Sequence, residues 1–378
     1  MSDGLEGVVA ASTRLSHVDG EAGRLIIAGY AVEELAPYAT FEEVAYLLLH
    51  GRLPDSSEQD RFARELAQRR PLSRAAVDLL REAASARVPP MDALRMAAPV
   101  LSLGRPENPV DDAMTAIAAF PTIVGAYWRL RNGNEPVPVA SDLPHAAHYL
   151  HQLTGDRPSV ERARALETYL NTVCDHGFNA STFAARVIIS TRSDVISAIT
   201  GAVGALKGPL HGGAPGPALD TVLEIGVPER AEAVIRAKLD RGERLMGFGH
   251  RVYRVRDPRA DVLAQAAERF YARDGDRSLY ELARSVEATS LRLLSERKPD
   301  RRLDTNVEFY TALLLHGLDL PTAFFTPTFA VGRVVGWSAH CLEQLRDGRL
   351  IRPQSTYIGP TGLHYERDRR VTAARQSA

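Results

Sequence analysis

Apolar and polar positions recur with the period of an α-helix along most of the chain. The segment after Thr40 shows the signals clearly, since Thr40 and Glu43 form a capping box and Gly51 ends the pattern. Further helices are predicted near 57–70, 74–87, 111–131, 144–153, 160–174, 180–192, 194–206, 216–225, 228–239, 258–272, 278–297, 305–316 and 331–346. Strands do not alternate with helices, so the pattern predicts an all-α fold rather than a parallel α/β sheet.

Two segments depart from the ordinary amphipathic pattern. The first thirty residues combine glycine turns with short β-branched runs such as 25–28, which favours a small hairpin or an extended lead-in. The segment 111–131 is apolar nearly all round and contains Pro121, which predicts a buried and kinked helix.

Composition narrows the classes of function. The chain of 378 residues is 45% hydrophobic and 25% charged, which is ordinary for a globular protein of two or three domains. Its net charge of −1 provides no basic footprint for nucleic acid or for an anionic membrane. Only three of the 46 basic residues are lysine, so a single arginine identifies a site only through its position.

Cysteine and histidine usage gives no sign of a disulfide framework or of a metal. Cys174 and Cys341 are the only cysteines, too few for a thiolate zinc site. His145, His148 and His151 lie three apart, but no acidic or cysteine ligand accompanies them, so no metal is expected. No signal-peptide pattern opens the chain and no apolar run approaches the ~18 residues of a membrane span. A cytoplasmic location is therefore expected.

Two glycine-rich segments each carry a histidine. His211 lies in GPLHGGAPG (208–216), and His250 lies in MGFGHRVYRVRDPRA (246–260). Glycine and proline interrupt regular structure, so both histidines are expected in loops or at helix ends. Neither segment has the spacing of a nucleotide-binding glycine loop. Such loops can present a neutral imidazole that donates a hydrogen bond to a carbonyl gaining negative charge. The alternative is two turns that happen to carry histidines.

Three more polar residues stand near predicted helix starts. His176, in DHGFNAST, precedes a helix beginning near Asn179 or Ser181, which either binds an anion at its free amides or is simply capped. Arg259 lies near the start of the helix predicted near 258–272. Glu308, in NVEFY, comes early in an apolar helix, where partial burial raises the pKa of a carboxylate and makes it a better base. The alternative is a first-turn glutamate favoured by the helix dipole.

Two arginines lie close to the end of the chain. Arg333 is the only charge in the apolar run 324–339, and a buried guanidinium is costly unless it is paired, so a carboxylate partner or ligand is expected. Arg352 precedes Pro353 in an extended segment and by itself would pass as a surface residue.

Taken in order, these motifs resemble those of citrate synthases of the short bacterial type. The likeness runs through VDGEAGRL, DHGFNAST, GPLHGGA, MGFGHRVYRVRDPRA, NVEFYTALLL, FAVGRVVGWSAH and RPQSTYIG, nearly the whole chain. It implies an all-α fold with a large domain (1–212 and 313–378), a smaller inserted helical domain (213–312) and an active site in the cleft between them. It also implies a homodimer, a place in the tricarboxylic acid cycle and no cofactor, with acetyl-CoA as a substrate.

The resemblance also implies a role for each residue singled out above. His176, Arg259 and Arg333 correspond to residues that bind oxaloacetate, and Arg352 to an arginine lent across the dimer. His211 corresponds to the donor to the thioester oxygen, His250 to the group that polarises the keto carbonyl, and Glu308 to the catalytic base. Met246, Gly247, Phe248 and Gly249 are expected against the adenine of CoA.

The activity implied is condensation of acetyl-CoA with oxaloacetate, followed by hydrolysis of citryl-CoA to citrate and CoA. Two alternatives stay open: 2-methylcitrate formation from propionyl-CoA, and a paralogue that binds CoA or a dicarboxylate with weak turnover. The second is suggested by Glu308, since the base in this family is ordinarily aspartate. The chain also departs from the family pattern near its start. The family usually has Tyr-Arg-Gly-Tyr where this chain has Ile27, Ala28, Gly29 and Tyr30, so Ala28 replaces the arginine.

Overall fold

The structure is a computed structural model that describes residues 3–5, 7–212, 215–250 and 252–362. The predicted domain boundary at Gly213 and the chain beyond 362 lie outside the described residues. So do Ala214 and Arg251, which belong to the two glycine-rich motifs. The division into two domains stays a prediction.

A small antiparallel sheet precedes the helices. Its strands are β1 (Ser16–Asp19), β2 (Arg24–Ile27) and β3 (Tyr30–Ala31), in that order, with Ser16 opposite Ile27 in the first pair. The predicted hairpin is confirmed, with a third short strand added. Ala28 lies in the turn between β2 and β3 with a φ of 45°, and its N–H donates to the Leu15 carbonyl at 2.8 Å.

The remaining regular structure is helical, which confirms the predicted all-α class. The helices are α1 (Val32–Leu35), α2 (Phe41–His50), α3 (Ser56–Gln68), α4 (Arg74–Ser85), α5 (Pro90–Ala97), α6 (Pro109–Arg131), α7 (His145–Thr154), α8 (Val160–Val173), α9 (Ala180–Ser190), α10 (Val195–Leu206), α11 (Pro215–Ile225), α12 (Ala231–Asp240), α13 (Pro258–Tyr271), α14 (Arg277–Arg297), α15 (Val307–Gly317) and α16 (Phe325–Asp347). Short 3₁₀ turns connect some of them.

Several helices differ from the sequence prediction, and two of the differences, at α5 and α16, involve proline. Helix α5 was not predicted, because Pro89 and Pro90 indicated a break; Pro90 instead occupies the first helical position, where its missing N–H costs nothing. Helix α16 begins at Phe325, six residues before the predicted start at 331. Pro327 lies within its first turn, where the backbone N–H has no intrahelical acceptor to lose.

Helices α6 and α16 form the centre of the molecule. Helix α6 is buried from Asp112 to Tyr127 and continues unbroken through Pro121. Helix α16 packs on α6, α8, α9 and α10, and nearly every residue from Ala330 to Cys341 is buried. His145 stacks on Phe41 with ring centroids 3.9 Å apart, as a packing residue of this core. Among the helices described, none is both long and apolar enough to cross a bilayer.

Candidate active site

Two glycines allow the backbone conformation of the loop that carries His250. Gly247 and Gly249 have φ of 90° and 77°, which side-chain-bearing residues rarely adopt. A Cβ on Gly249 would lie 2.9 Å from a methyl group of Leu303. The Gly249 N–H donates to the Asp304 carbonyl at 2.7 Å, and Phe248 pairs with Thr305. The loop is therefore fastened to the segment just before α15.

Backbone hydrogen bonds set the tautomer of His250. Its Nδ1 accepts from the N–H groups of Val252 and Tyr253, at 3.0 and 3.1 Å, so the proton of the neutral ring is on Nε2. Arg259 Nη2 lies 3.3 Å from that Nε2. Two donors thus face each other and need an acceptor oxygen between them. Burial, then the charge of Arg259, lowers the pKa of His250 to about 4, so the ring is neutral at pH 7.

Asp257 holds Arg259 in place. Its two carboxylate oxygens accept from Arg259 Nε at 3.0 Å and from Nη2 at 2.8 Å, in a pair that is 4% exposed at the arginine and 0% at the aspartate. The same carboxylate caps α13, beginning at Pro258, by accepting from the Arg259 N–H. Burial disfavours the Arg259 cation, but Asp257 outweighs burial and raises its pKa.

His211 approaches the site from the segment after α10. The Ser181 N–H donates to its Nε2 at 3.3 Å, so the proton of the neutral ring lies on Nδ1. The Ser181 hydroxyl is 2.8 Å from the same nitrogen and accepts from Trp337 Nε1 at 3.0 Å. Burial, and secondarily Arg333, lowers the pKa of His211 to about 4.

His176 lies in the turn between α8 and α9. Asn179 caps α9, which confirms the predicted helix start, and Gly177 has a φ of 58°. His176 Nε2 is 3.0 Å from the Tyr253 hydroxyl, and its ring centroid is 6.1 Å from that of His250. Burial, with the charges of Arg259 and others, holds the pKa of His176 well below its usual value.

Arg333 projects from the middle of α16. It is 1% exposed, its Nε donates to the Val173 carbonyl at 2.6 Å, and its guanidinium lies 4.6 Å from the ring centroid of Phe329. Within the described ranges of the chain, no carboxylate forms an ion pair with it. Burial lowers its pKa to about 10, so it remains a cation at neutral pH and has charge available for an anion.

Glu308 begins α15 with an unpaired carboxylate oxygen. Asn306 caps this helix by accepting from the Glu308 N–H at 2.9 Å. Glu308 Oε2 is buried and has no hydrogen-bond partner among the described residues. Burial raises the pKa of Glu308 to about 7, although the charge of Arg259 opposes it. The carboxylate is therefore poised to exchange a proton near neutral pH.

One cavity of about 1280 Å³ brings these groups together. Its walls include ten of the eleven residues predicted for the site: His176, His211, Met246, Gly247, Phe248, Gly249, His250, Arg259, Glu308 and Arg333. Arg352 is the exception, since it is exposed in the extended segment after α16 and does not line the cavity. A neighbouring groove of about 660 Å³ carries Arg244, Arg254, Lys298 and Arg301.

Four residues that support the site were not singled out from the sequence. Ser181 and Tyr253 bind the rings of His211 and His176, and their hydroxyls gave no signal before the fold was known. Asp257 and Asn306 did have a recognisable sequence signal, because each is a residue type that favours a helix N-cap. Asp257 precedes a proline, and Asn306 stands two residues before Glu308.

The fold and the cavity define a class of enzyme: an all-α protein whose cleft offers neutral imidazole donors, buried guanidiniums and a carboxylate near its titration point. Such a set suits acid–base chemistry on an anionic carbonyl compound. The family model described as citrate synthase, C-terminal domain, matches residues 4–354. The chain belongs to the citrate synthase family, whose members are condensing enzymes of the acyltransferase type.

Individual members of the family are similar to this chain along almost its whole length. The citrate synthase of Haloferax volcanii is 40% identical over 373 residues, covering 96% of this chain and 97% of its own. The 2-methylcitrate synthase of Mycobacterium tuberculosis is 41% identical over 371 residues, covering 94% and 90%. The citrate synthase of Thermoplasma acidophilum, solved with carboxymethyl coenzyme A and oxaloacetate, superposes with a TM-score of 0.84 at 30% identity, covering 97% and 98%.

Proposed function

We propose that the protein condenses acetyl-CoA with oxaloacetate and hydrolyses the resulting citryl-CoA to citrate and CoA. The observation that carries this is the unpartnered, buried Oε2 of Glu308 in the same cavity as His211 and His250. The methyl group of a thioester is a very weak acid, so its deprotonation needs a base together with a donor for the enolate oxygen. The relatives named above support this reading.

Oxaloacetate fits the cationic side of the cavity. Its two carboxylates are matched by Arg333, which forms no ion pair with a described carboxylate, and by Arg259, with His176 as a further polar contact. Guanidinium groups bind carboxylates with directional hydrogen bonds. The keto oxygen then lies between His250 Nε2–H and Arg259, where two donors converge. A keto carbon polarised in this way accepts the attack of an enolate.

The thioester occupies the side of the cavity near His211. Since Nε2 accepts from Ser181, the Nδ1–H is free to donate to the thioester oxygen as negative charge develops there. Glu308 removes the methyl proton, and the enolate carbon forms the new bond to the keto carbon. The π bond of the keto group opens onto its oxygen, which takes the proton of His250 Nε2 and becomes the hydroxyl of citryl-CoA. Water then breaks the thioester bond and releases CoA. No metal or cofactor takes part in these steps.

The rest of CoA follows the loop and the neighbouring groove. We propose that Met246, Gly247, Phe248 and Gly249 lie against the adenine. The cations Arg244, Arg254, Lys298 and Arg301 in the adjoining groove suit the phosphates. The domain division 1–212, 213–312 and 313–378 belongs to this proposal, because closure of the smaller domain over both substrates excludes water from the enolate.

We also propose that the protein works as a homodimer in the cytoplasm. Arg352 is exposed on the extended segment after α16, which suits an arginine lent to the active site of a partner subunit. Cys174 and Cys341 are free and buried, which is typical of a reducing compartment.

A second activity, 2-methylcitrate formation from propionyl-CoA, is favoured by the similarity to the Mycobacterium tuberculosis enzyme. It uses the same residues, and one methylene changes selectivity by only about 1–3 kcal/mol. Release of CoA with oxaloacetate and each acyl-CoA distinguishes the two. We expect a higher kcat/KM for acetyl-CoA, and a large preference for propionyl-CoA would reverse the assignment.

The same assay separates an enzyme from a protein that only binds CoA or a dicarboxylate. We expect turnover by the wild type and its loss in His250→Ala, which removes the donor to the keto oxygen. An inactive wild type that Glu308→Asp activates would establish the binding reading instead.

A further inference from the structure

A buried carboxylate outside the cavity joins the two segments that carry the reacting groups. Glu287 lies in the middle of α14 and is 4% exposed. Its Oε1 accepts from Arg256 Nη1 at 3.0 Å and from the Thr305 hydroxyl at 2.7 Å. Its Oε2 accepts from Arg284 Nη1 at 3.0 Å and from the Tyr310 hydroxyl at 2.5 Å. Four donors thus satisfy this carboxylate.

Both donors on Oε1 stand close to catalytic residues in the sequence. Arg256 is three residues before Arg259, and Thr305 is three residues before Glu308. Neither Arg256 nor Thr305 lines the catalytic cavity. One oxygen atom of Glu287 is therefore the common anchor of the loop after His250 and of the lead-in to α15.

The anchored segments also contact each other directly. The Val307 N–H donates to Asp257 Oδ2 at 3.3 Å, and the Asp257 N–H lies 3.5 Å from the Thr305 carbonyl. These are long hydrogen bonds. Shorter ones, from the Gly249 N–H to the Asp304 carbonyl and from Asn306 Nδ2 to the Gly249 carbonyl at 2.7 Å each, join the part of the loop before His250 to the same lead-in, so the part after His250 is the weakly joined one. The charge-assisted and short hydrogen bonds of Glu287 are the stronger connection between the part of the loop after His250 and the lead-in to α15.

We propose that Glu287 is a positioning residue for the condensation, which sets the placement of Glu308 relative to His250 and Arg259. The proposal rests on the function proposed above. A displacement of about 1 Å at a reacting group can cost about 10²-fold in rate, so an anchor between base and electrophile controls kcat without touching substrate. Arg333 and His176 stand outside the network, so oxaloacetate binding depends on it less.

The charge of Glu287 is essential to this role. All four neighbours approach as hydrogen-bond donors, and a carboxylate presents only acceptors. Glutamine has the same shape, but its NH₂ group must face either Arg256 with Thr305 or Arg284 with Tyr310. In the first orientation the anchor on Oε1 is broken, and in the second it is weakened, because a neutral amide oxygen accepts less strongly from Arg256 than a carboxylate does.

The test compares Glu287→Gln with two matched variants. We expect Glu287→Gln to lower kcat about 10- to 100-fold, with a larger primary isotope effect for acetyl-CoA deuterated at the methyl group, because misplacement of the base slows proton removal. The KM for oxaloacetate should change by less than about fivefold. Thr305→Val removes one donor from Oε1 and should lower kcat in the same direction. Arg284→Gln, on the exposed side of the network, should stay within about twofold of wild type.

A wild-type kcat and isotope effect in Glu287→Gln would overturn the proposal, as would an equal loss in Arg284→Gln. If Glu287→Gln does not fold, Thr305→Val decides the question by the same criteria. If the wild type turns over neither acyl-CoA, the proposed function has failed, and hydrogen exchange decides the positioning role. Faster amide exchange at 304–308 in Glu287→Gln but not in Arg284→Gln supports it, and unchanged exchange refutes it.

Discussion

At the scale of single residues, burial decides which groups of the cleft carry charge. His176, His211 and His250 are neutral at pH 7 because burial and nearby arginines lower their pKa, to about 4 for His211 and His250. A neutral imidazole donates a hydrogen bond through one nitrogen, and the partners of its other nitrogen decide which one carries the proton. In His250, the N–H groups of Val252 and Tyr253 donate to Nδ1, so the proton is on Nε2. These rings suit the polarisation of carbonyl oxygens rather than the transfer of protons in a charged form.

Glu308→Gln tests the base. The amide keeps the shape of the side chain but has no basic oxygen, so we expect kcat to fall by about 10²- to 10⁴-fold, the range of general acid–base catalysis. The KM values should change little, because the amide fills the same space and the methyl group that Glu308 deprotonates forms no conventional hydrogen bond in the ground state. Steady-state release of CoA measures both. Retention of wild-type kcat would show that another group takes the proton.

The pH dependence follows from the same carboxylate. A base acts only when ionised, and the pKa of Glu308 is about 7, so kcat/KM should fall as the pH drops through about 7. His211 and His250 remain neutral until about pH 4 and add no loss in that window. A pH series of kcat/KM provides the measurement. An unchanged rate down to pH 5 would contradict the raised pKa.

At the scale of elements, the start of α15 connects helix capping to catalysis. Asn306 accepts from the Glu308 N–H as the helix cap, and its Nδ2 donates to the Gly249 carbonyl at 2.7 Å. One side chain therefore ends the glycine loop and begins the helix of the base. The two hydrogen bonds of Asn306 therefore keep the glycine loop before His250 close to Glu308.

Asn306→Ala should lower both stability and activity. Loss of an N-cap costs about 0.5–2 kcal/mol of unfolding free energy. The lost bond to Gly249 should lower kcat as well. Ser73→Ala is the matched control, since Ser73 caps α4 by accepting from the Ala76 N–H and lies outside the cavity. Urea unfolding and kcat should separate the variants: similar losses of stability, but reduced kcat only in Asn306→Ala. Equal kcat in both would refute a link between this cap and catalysis.

At the scale of the whole molecule, the candidate active site is an assembly of distant segments. The α8–α9 turn, the segment after α10, the His250 loop, the start of α15 and the middle of α16 all reach one cavity. Arg352 is the predicted residue that the chain does not bring to its own cavity. For the homodimer proposed above, this arrangement makes a specific prediction.

A mixture of Glu308→Gln and Arg352→Ala subunits tests whether Arg352 acts across the interface. Each homodimer should be nearly inactive. In a mixed dimer, the subunit that keeps Glu308 receives Arg352 from its partner, so one complete site forms. Statistical exchange of subunits should then restore roughly a quarter of wild-type activity, because half the dimers are mixed and each has one working site. If Arg352 serves its own subunit, mixing restores nothing. Size-exclusion chromatography of each variant controls for assembly.

Local patterns predicted most of the helices because caps and apolar periodicity act over a few residues. Thr40 with Glu43 does form a capping box, and Asn179 does begin α9. The same locality explains the errors: Pro89 and Pro90 indicated a break and α16 was predicted to begin at 331, but Pro90 and Pro327 lie in first turns, and only packing decided that helix continued around them. Burial of Glu308, which raises its pKa, agrees with the sequence prediction, since its apolar neighbours in the sequence are its neighbours in the helix.

The sequence by itself determined the all-α class, the glycine loops that present His211 and His250, and the positions of Glu308, Arg259 and Arg333, because these depend on residue type and local spacing. The tertiary structure alone decided which groups face each other. The tautomer of His211 and the Glu287 anchor depend on contacts between separate segments of the chain. The tautomer of His250 and the Asp257–Arg259 pair are set by residues two or three positions apart, but only the fold brings them into the cavity with the other groups. Such contacts follow from how the helices pack, and packing is a property of the whole chain.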